Sequence, residues 1–191
     1  DLIFNIKNDE KNIYLTFDDG PHPEYTPWVL NQLALYDAKA TFFLIGKNIE
    51  SHPEIVQQIK AAGHSIGNHT FDHLNGWKTS NGIYSKNVEQ CQKLTETKLF
   101  RPPYGKVTRS QAKELKALDY KIVMYSDLSA DFDSSYTAEE CFKFATRKIE
   151  TSSVIVFHDS TKAWPRLKEI LPQCLAYYKK QGFNLAAIPE H

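Results

Sequence analysis

Most residues able to do chemistry in this 191-residue chain fall just after short apolar runs. Asp18 and Asp19 follow the run Ile13 to Phe17, in Thr16-Phe17-Asp18-Asp19-Gly20-Pro21. Adjacent carboxylates at a strand end point in different directions, because successive side chains alternate. One can then serve a metal and the other a water; the plain alternative is an Asp-Gly-Pro turn with solvated carboxylates. His69 and His73 are four apart, so on a helical turn both imidazoles share one face and can grip one cation. They could also be a surface pair. Imidazole suits zinc and similar borderline metals, and Asp19 could be a third ligand, leaving a position open for water. The glutamate of H-E-x-x-H is missing, which argues against a zincin protease. His158 follows Val154 to Phe157, Arg101 precedes Pro102-Pro103-Tyr104-Gly105, and Asp127 and Asp131 follow a run ending at Tyr125. Singly, these read as a satisfied core histidine, an ordinary ion-pairing arginine and a loop-capping aspartate.

The elements that must position them alternate. Strand-like runs are expected at Ile13 to Phe17, Ala40 to Ile45, Ser65 to Gly67, Leu99 to Arg101, Lys121 to Tyr125, Val154 to Phe157 and Asn184 to Ile188. Helical patterns sit between them. Thr26 before Pro27 reads as an N-cap with a first-turn proline. Pro53 opens a helix that buries Ile55, Val56 and Ile59 and stops at Gly63. Thr108 with Gln111, and Thr137 with Glu140, fit capping boxes. A last helix spaces Leu167, Ile170, Leu171, Cys174, Leu175 and Tyr178 at helical intervals, with Pro172 kinking it or marking a delayed start. The polar stretch Asn75 to Ser85 reads as an excursion. About seven such alternations predict parallel strands with crossover helices. Several strands aiming ionisable groups at one rim favour a (β/α) barrel, whose active sites lie at the C-terminal ends of the strands.

Bulk properties exclude more than they select. The length suits one domain, 1–191, with 41% hydrophobic and 24% charged residues. Lys plus Arg and Asp plus Glu are 23 each, so bulk charge draws the chain neither to nucleic acid nor to an anionic membrane. No apolar run is long enough to span a bilayer. Cys91, Cys141 and Cys174 lie far apart and read as buried free thiols. The start at Asp1 without Met suggests processing or trimming; a removed leader would favour a secreted, periplasmic or cell-envelope location.

At these residues the chain resembles the polysaccharide deacetylases of carbohydrate esterase family four, the NodB-like domain, from about Asn12 to Pro189. The matching blocks are TFDDGP, HTFDH, RPPYG from Arg101 to Gly105, and the apolar run ending in Phe157-His158-Asp159. One further block, lying between RPPYG and that apolar run, departs: Leu128 stands where the family has an aspartate, with Asp127 one residue early, and Phe132 replaces a tryptophan. Val156 replaces a leucine that lines the acetyl-methyl pocket. The resemblance implies a distorted barrel of about seven parallel strands and one divalent metal, zinc first with cobalt or nickel possible, on Asp19, His69 and His73. It implies Asp18 as general base, oriented by Arg101, and His158 as general acid, held by Asp131, with the Tyr104 backbone N–H helping at the oxyanion. The implied activity removes N- or O-acetyl groups from a carbohydrate such as a chitin- or peptidoglycan-type glycan or acetylated xylan, by a chain working as a monomer. An amidase acting on small cyclic ureides or imides, and a catalytically inactive carbohydrate-binding domain, are the alternatives.

Overall fold

The computed structural model describes residues 2–6 and 10–190. Asp1 and His191, the ends of the expected domain, lie outside the described residues. Strands β1 (Asn12–Asp18), β2 (Ala40–Leu44), β3 (Ser65–Asn68), β4 (Leu99–Phe100), β5 (Lys121–Ile122), β6 (Asp127–Leu128), β7 (Val154–His158) and β8 (Asn184–Leu185) share one sheet. Its order is β5-β4-β3-β2-β1-β7-β6, with β8 beside the start of β1, and every pairing between these strands is parallel. The two outer strands are consecutive in the chain. From Ile122 to Asp127 the backbone can span at most about 18 Å, whereas seven flat strands would be about 29 Å across. The sheet therefore curls into a distorted barrel. Residues between its edges continue the closure: Val123 N–H bonds Phe100 O at 2.8 Å, Ser126 N–H bonds Val154 O at 3.0 Å, and Ile3 pairs with Val123.

Alternation divides the layers. Ile13, Leu15 and Phe17 of β1, Phe42 and Leu44 of β2 and Ile155 and Phe157 of β7 pack outward against helices. Tyr14, Phe43, Leu99, Val123, Val154 and Ile188 fill the lower interior. Thr16 and Asp18 occupy the same face of β1 as Tyr14, one and two repeats nearer the rim. The helices are α1 (Tyr25–Leu35), α2 (Gly46–Ser51), α3 (Pro53–Ala61), α4 (Asn81–Thr95), α5 (Arg109–Ala117), α6 (Ala138–Thr146) and α7 (Trp164–Lys180). Both expected capping boxes form, starting α5 and α6. The buried stripe of α7 is the one its spacing indicates, and the helix runs unbroken through Pro172, so that proline is no delayed start.

Three expectations are corrected. α1 begins at Tyr25 after Glu24, and Thr26 is buried inside it. Its hydroxyl donates to Asp159 instead of capping the helix. The excursion ends early, because α4 starts at Asn81, and α2 adds a further helix. Of the run Lys121 to Tyr125 only Lys121–Ile122 forms a strand, β5, and a further strand, β6, lies beyond it at Asp127–Leu128 and pairs with the opposite edge of the sheet. Seven strands form the path of the sheet and β8 adds an eighth, in keeping with the expected barrel of about seven parallel strands. The three cysteines are free and buried as expected. No helix among the described residues is long and apolar enough to cross a membrane.

Candidate active site

Arg101 follows β4 and is 1% exposed, so its charge must be paired within the barrel. One terminal nitrogen donates to Asp18 Oδ1 at 2.8 Å and to Thr16 Oγ1 at 2.6 Å. Nε donates to Val123 O at 3.2 Å, and the other terminal nitrogen to Met124 O at 2.8 Å. The guanidinium also lies 4.2 Å from the centre of the Phe43 ring. Gly67 makes that ring's position possible, since a Cβ there would come within 2.2 Å of it. This rigid fork leaves Asp18 little freedom to turn.

Asp19 sits beyond β1 with φ +79°, so strand alternation no longer applies and its carboxylate swings into the same cavity as Asp18. Its Oδ1 lies 3.1 Å from His73 Nε2 and 3.7 Å from His69 Nε2. One donor atom from each of Asp19, His69 and His73 falls within 4.8 Å of the others, a grouping able to hold a metal ion. The two histidines do not ride on a helical turn, as their spacing suggested. They lie on a loop in which Thr70 and His73 both have positive φ. Asn87 of α4 clamps that loop, its Oδ1 accepting the N–H groups of Phe71 and Asp72. His69 Nδ1 is 2.8 Å from Arg101 O, so it carries the proton and leaves the Nε2 lone pair facing Asp19 and His73. Burial lowers the His69 pKa to about 4, so the ring is neutral at pH 7, the form a ligand needs. Burial would raise Asp19, but its hydrogen bond to His73 and the nearby His158 and His69 hold it well below the usual carboxylate range.

Opposite this set stands His158, the last residue of β7 and the register partner of Asp18. Its Nδ1 is 2.7 Å from Asp131 Oδ1, and its backbone N–H donates to Asp131 Oδ2 at 2.9 Å. Asp131 is fully buried. Burial by itself would lower the His158 pKa; the adjacent Asp131 charge and hydrogen bond override it and raise the value to about 9. Phe132 meets the imidazole edge-on at 4.9 Å. Asp127 pairs in register with outward-facing Ile155 and takes the Ser126 hydroxyl at 2.7 Å, so it is not the partner of His158.

Asp18, Asp19, His69, His73, Arg101 and His158 line one cavity of about 270 Å³, walled also by Tyr104, Tyr125, Leu128, Phe132 and Val156. Leu128 and Val156 are register partners and form an apolar patch beside the charged groups. Tyr104 adopts φ +60° and places its ring 4.6 Å from that of His73. The eight residues to which the resemblance gives a role thus come together here, Asp131 from behind His158, while Asp127 lies apart. Thr16 was missed, although sharing the Asp18 face two residues away marks it. Asn87 was missed too, and no local signal points to a side chain that acts across such a separation.

The polysaccharide deacetylase family model matches residues 5–123. A peptidoglycan-N-acetylglucosamine deacetylase of Bacillus cereus is 32% identical, covering 99% of this chain and 92% of its own. A chitooligosaccharide deacetylase of Azorhizobium caulinodans is also 32% identical, covering 81% of this chain and 76% of its own. The crystal structure of the Bc1960 peptidoglycan N-acetylglucosamine deacetylase superposes with a TM-score of 0.86 at 30% identity, covering 98% of this chain and 91% of that one. With its blocks in order and its reactive groups gathered in one cavity, this chain belongs to the polysaccharide deacetylase family.

Proposed function

We propose that the chain is a metal-dependent deacetylase that hydrolyses acetyl groups on a glycan of the chitin or peptidoglycan type. The observation that carries this reading is the pairing of Asp18 and His158. They are neighbours in register on β1 and β7, each backed by a buried partner of opposite charge, beside a three-residue ligand set.

The donor set fits a divalent ion: a neutral imidazole with its tautomer fixed, a second imidazole and an ionised carboxylate. Such borderline donors favour zinc, with cobalt or nickel as substitutes. When bound, the metal polarises the acetyl carbonyl and makes a water easier to deprotonate. Asp18, fixed by Arg101 and Thr16, takes a proton from the attacking water. The Tyr104 N–H donates to the oxygen that gains negative charge. His158, held protonated by Asp131, gives its proton to the leaving nitrogen or oxygen. Leu128, Phe132 and Val156 offer an apolar seat for the acetyl methyl. Every group comes from one chain, so a monomer suffices.

Acetate release from a panel of chitin oligomers, peptidoglycan and acetylated xylan tests this reading, with small cyclic ureides as counter-substrates. Chelation should abolish activity, and zinc or cobalt should restore it. Ureide hydrolysis without acetate release, or no turnover in the metal-loaded protein, would overturn it.

A further inference from the structure

Trp28 and Trp164 are half-buried and packed together edge-on at 5.0 Å, with Tyr25 stacked on Trp164 at 4.5 Å. Trp77 is different: it is 66% exposed. An exposed indole on a loose loop would be unremarkable, but this loop is built to hold it still. Asn75 Oδ1 caps the 3-10 turn Gly76–Lys78 by accepting the Trp77 N–H at 3.0 Å. The fully buried Gln111 side chain donates to Gly76 O at 2.9 Å and to Thr79 O at 3.0 Å. Gly76 N–H bonds Lys106 O at 3.1 Å, and a Cβ at Gly76 would come within 2.5 Å of that oxygen. The indole N–H itself donates to Val107 O at 3.3 Å, while the Lys106 ammonium lies 5.2 Å from the ring centre.

The clamp ties the indole to both loops that form one rim of the cavity. Trp77 lies four residues beyond His73, and its anchors Lys106 and Val107 follow Tyr104 and Gly105, which line the cavity. Tyr104 is also exposed, at 60%. Two exposed aromatic rings, one on a fixed turn and one against a site histidine, thus belong to adjoining loops, with Trp77 anchored to the segment that directly follows Tyr104 and Gly105. Aromatic faces suit the C–H face of a pyranose, with hydroxyls left free for solvent.

We propose that Trp77, continuing from Tyr104, forms a platform on which a further sugar ring of the glycan stacks, away from the ring that carries the reacting acetyl group. The proposal rests on the glycan reading above and assigns Trp77 to substrate-length specificity, with no part in the bond-breaking step.

The test uses N-acetylglucosamine oligomers of one to five sugars with the metal-loaded protein. In the wild type, kcat/KM should rise with oligomer length. Trp77→Ala should lose about tenfold on the longest oligomer, the scale of one aromatic anchor, and nothing on the shortest that reacts. Trp77→Phe should recover most of the loss. Equal losses at every length, or an unchanged length dependence, would overturn the platform. If no oligomer releases acetate, the deacetylase reading fails, and indole fluorescence titration with the same oligomers still decides the platform without turnover. A length-dependent emission change that vanishes in Trp77→Ala supports it; no such change overturns it.

Discussion

Two ion pairs wall the cavity, and they are built with opposite polarity. On the β1–β4 side the carboxylate of Asp18 faces the cavity and the cation, Arg101, is buried behind it. On the β6–β7 side the cation-forming His158 faces the cavity and the carboxylate, Asp131, is buried. In each pair the buried member is tied to the protein by further hydrogen bonds: Arg101 to Thr16 and two carbonyls, Asp131 to the His158 backbone. The buried member therefore sets position and charge, and the facing member is left to exchange a proton. One pair sets a carboxylate against a fixed guanidinium and the other keeps an imidazole protonated, the opposed environments that acid and base catalysis both need near neutral pH.

The largest effect is expected outside both pairs. His69→Ala removes a proposed ligand whose tautomer is fixed by Arg101 O, so metal content should fall below one equivalent and nearly all acetate release should vanish. Elemental analysis checks it, and full occupancy in the variant would break the ligand assignment. Asp18→Asn should keep the metal and lower kcat by about 10²–10⁴-fold, the usual contribution of a general base. A metal-free Asp18→Asn protein would mean that Asp18 is a ligand and the division between the two aspartates is wrong.

The buried members should behave as positioning groups. Arg101→Lys keeps the charge but cannot reach Asp18, Thr16, Val123 O and Met124 O together. Leaving even one of those buried acceptors unpaired costs about 1–3 kcal/mol, and a shifted Asp18 can cost about 10²-fold in turnover. Denaturant midpoints and kcat should therefore fall together. Wild-type turnover in this variant would show that the fork is structural only.

How far the site was legible follows the same division. Asp18, Asp19 and His158 were readable because each follows a strand-like run, and that placement alone sends them to one rim. The backbone devices were not. Nothing in the sequence announces that Asp19, Thr70 and His73 take positive φ, since only glycine advertises that region. The α4 helix was hidden because its buried face mixes Tyr84, Val88 and Cys91 with Ser85, Asn87 and Thr95, which blurs the apolar stripe. Asn87 is buried there to clamp the histidine loop, so the feature that obscured the helix is one the site requires. The β6 strand is two residues long and becomes a strand only by pairing with β7. Thr26 read as a cap because its hydroxyl partner, Asp159, is 133 residues away.

The smallest expected effect is the sharpest test of the second pair, and it appears in pH dependence more than in rate. His158 must be protonated to act as an acid, so activity should fall as pH rises through its pKa, about 9 in this structure. A cation held by Asp19 offsets part of the negative field at His158, so the limb of the metal-loaded enzyme should lie somewhat lower. Asp131→Asn keeps a hydrogen-bond acceptor but removes the charge. Burial, which lowers the pKa, is then opposed only by Asp19 and Asp18, and the alkaline limb should move down from about 9 toward the ordinary histidine value of 6.5. Stability carries the same signature. A folded pKa raised from 6.5 to about 9 contributes stability that is fully present below 6.5 and lost as pH rises through about 9. The variant should lack that contribution, so its denaturant midpoint should fall short of the wild type at pH 6 and approach it as pH rises past about 9. Asp127→Asn should leave both curves in place, because that carboxylate bonds Ser126 at a register position beside outward-facing Ile155. A shifted limb in Asp127→Asn, with an unshifted one in Asp131→Asn, would move the buried half of the pair to the other aspartate and break the symmetry between the two walls.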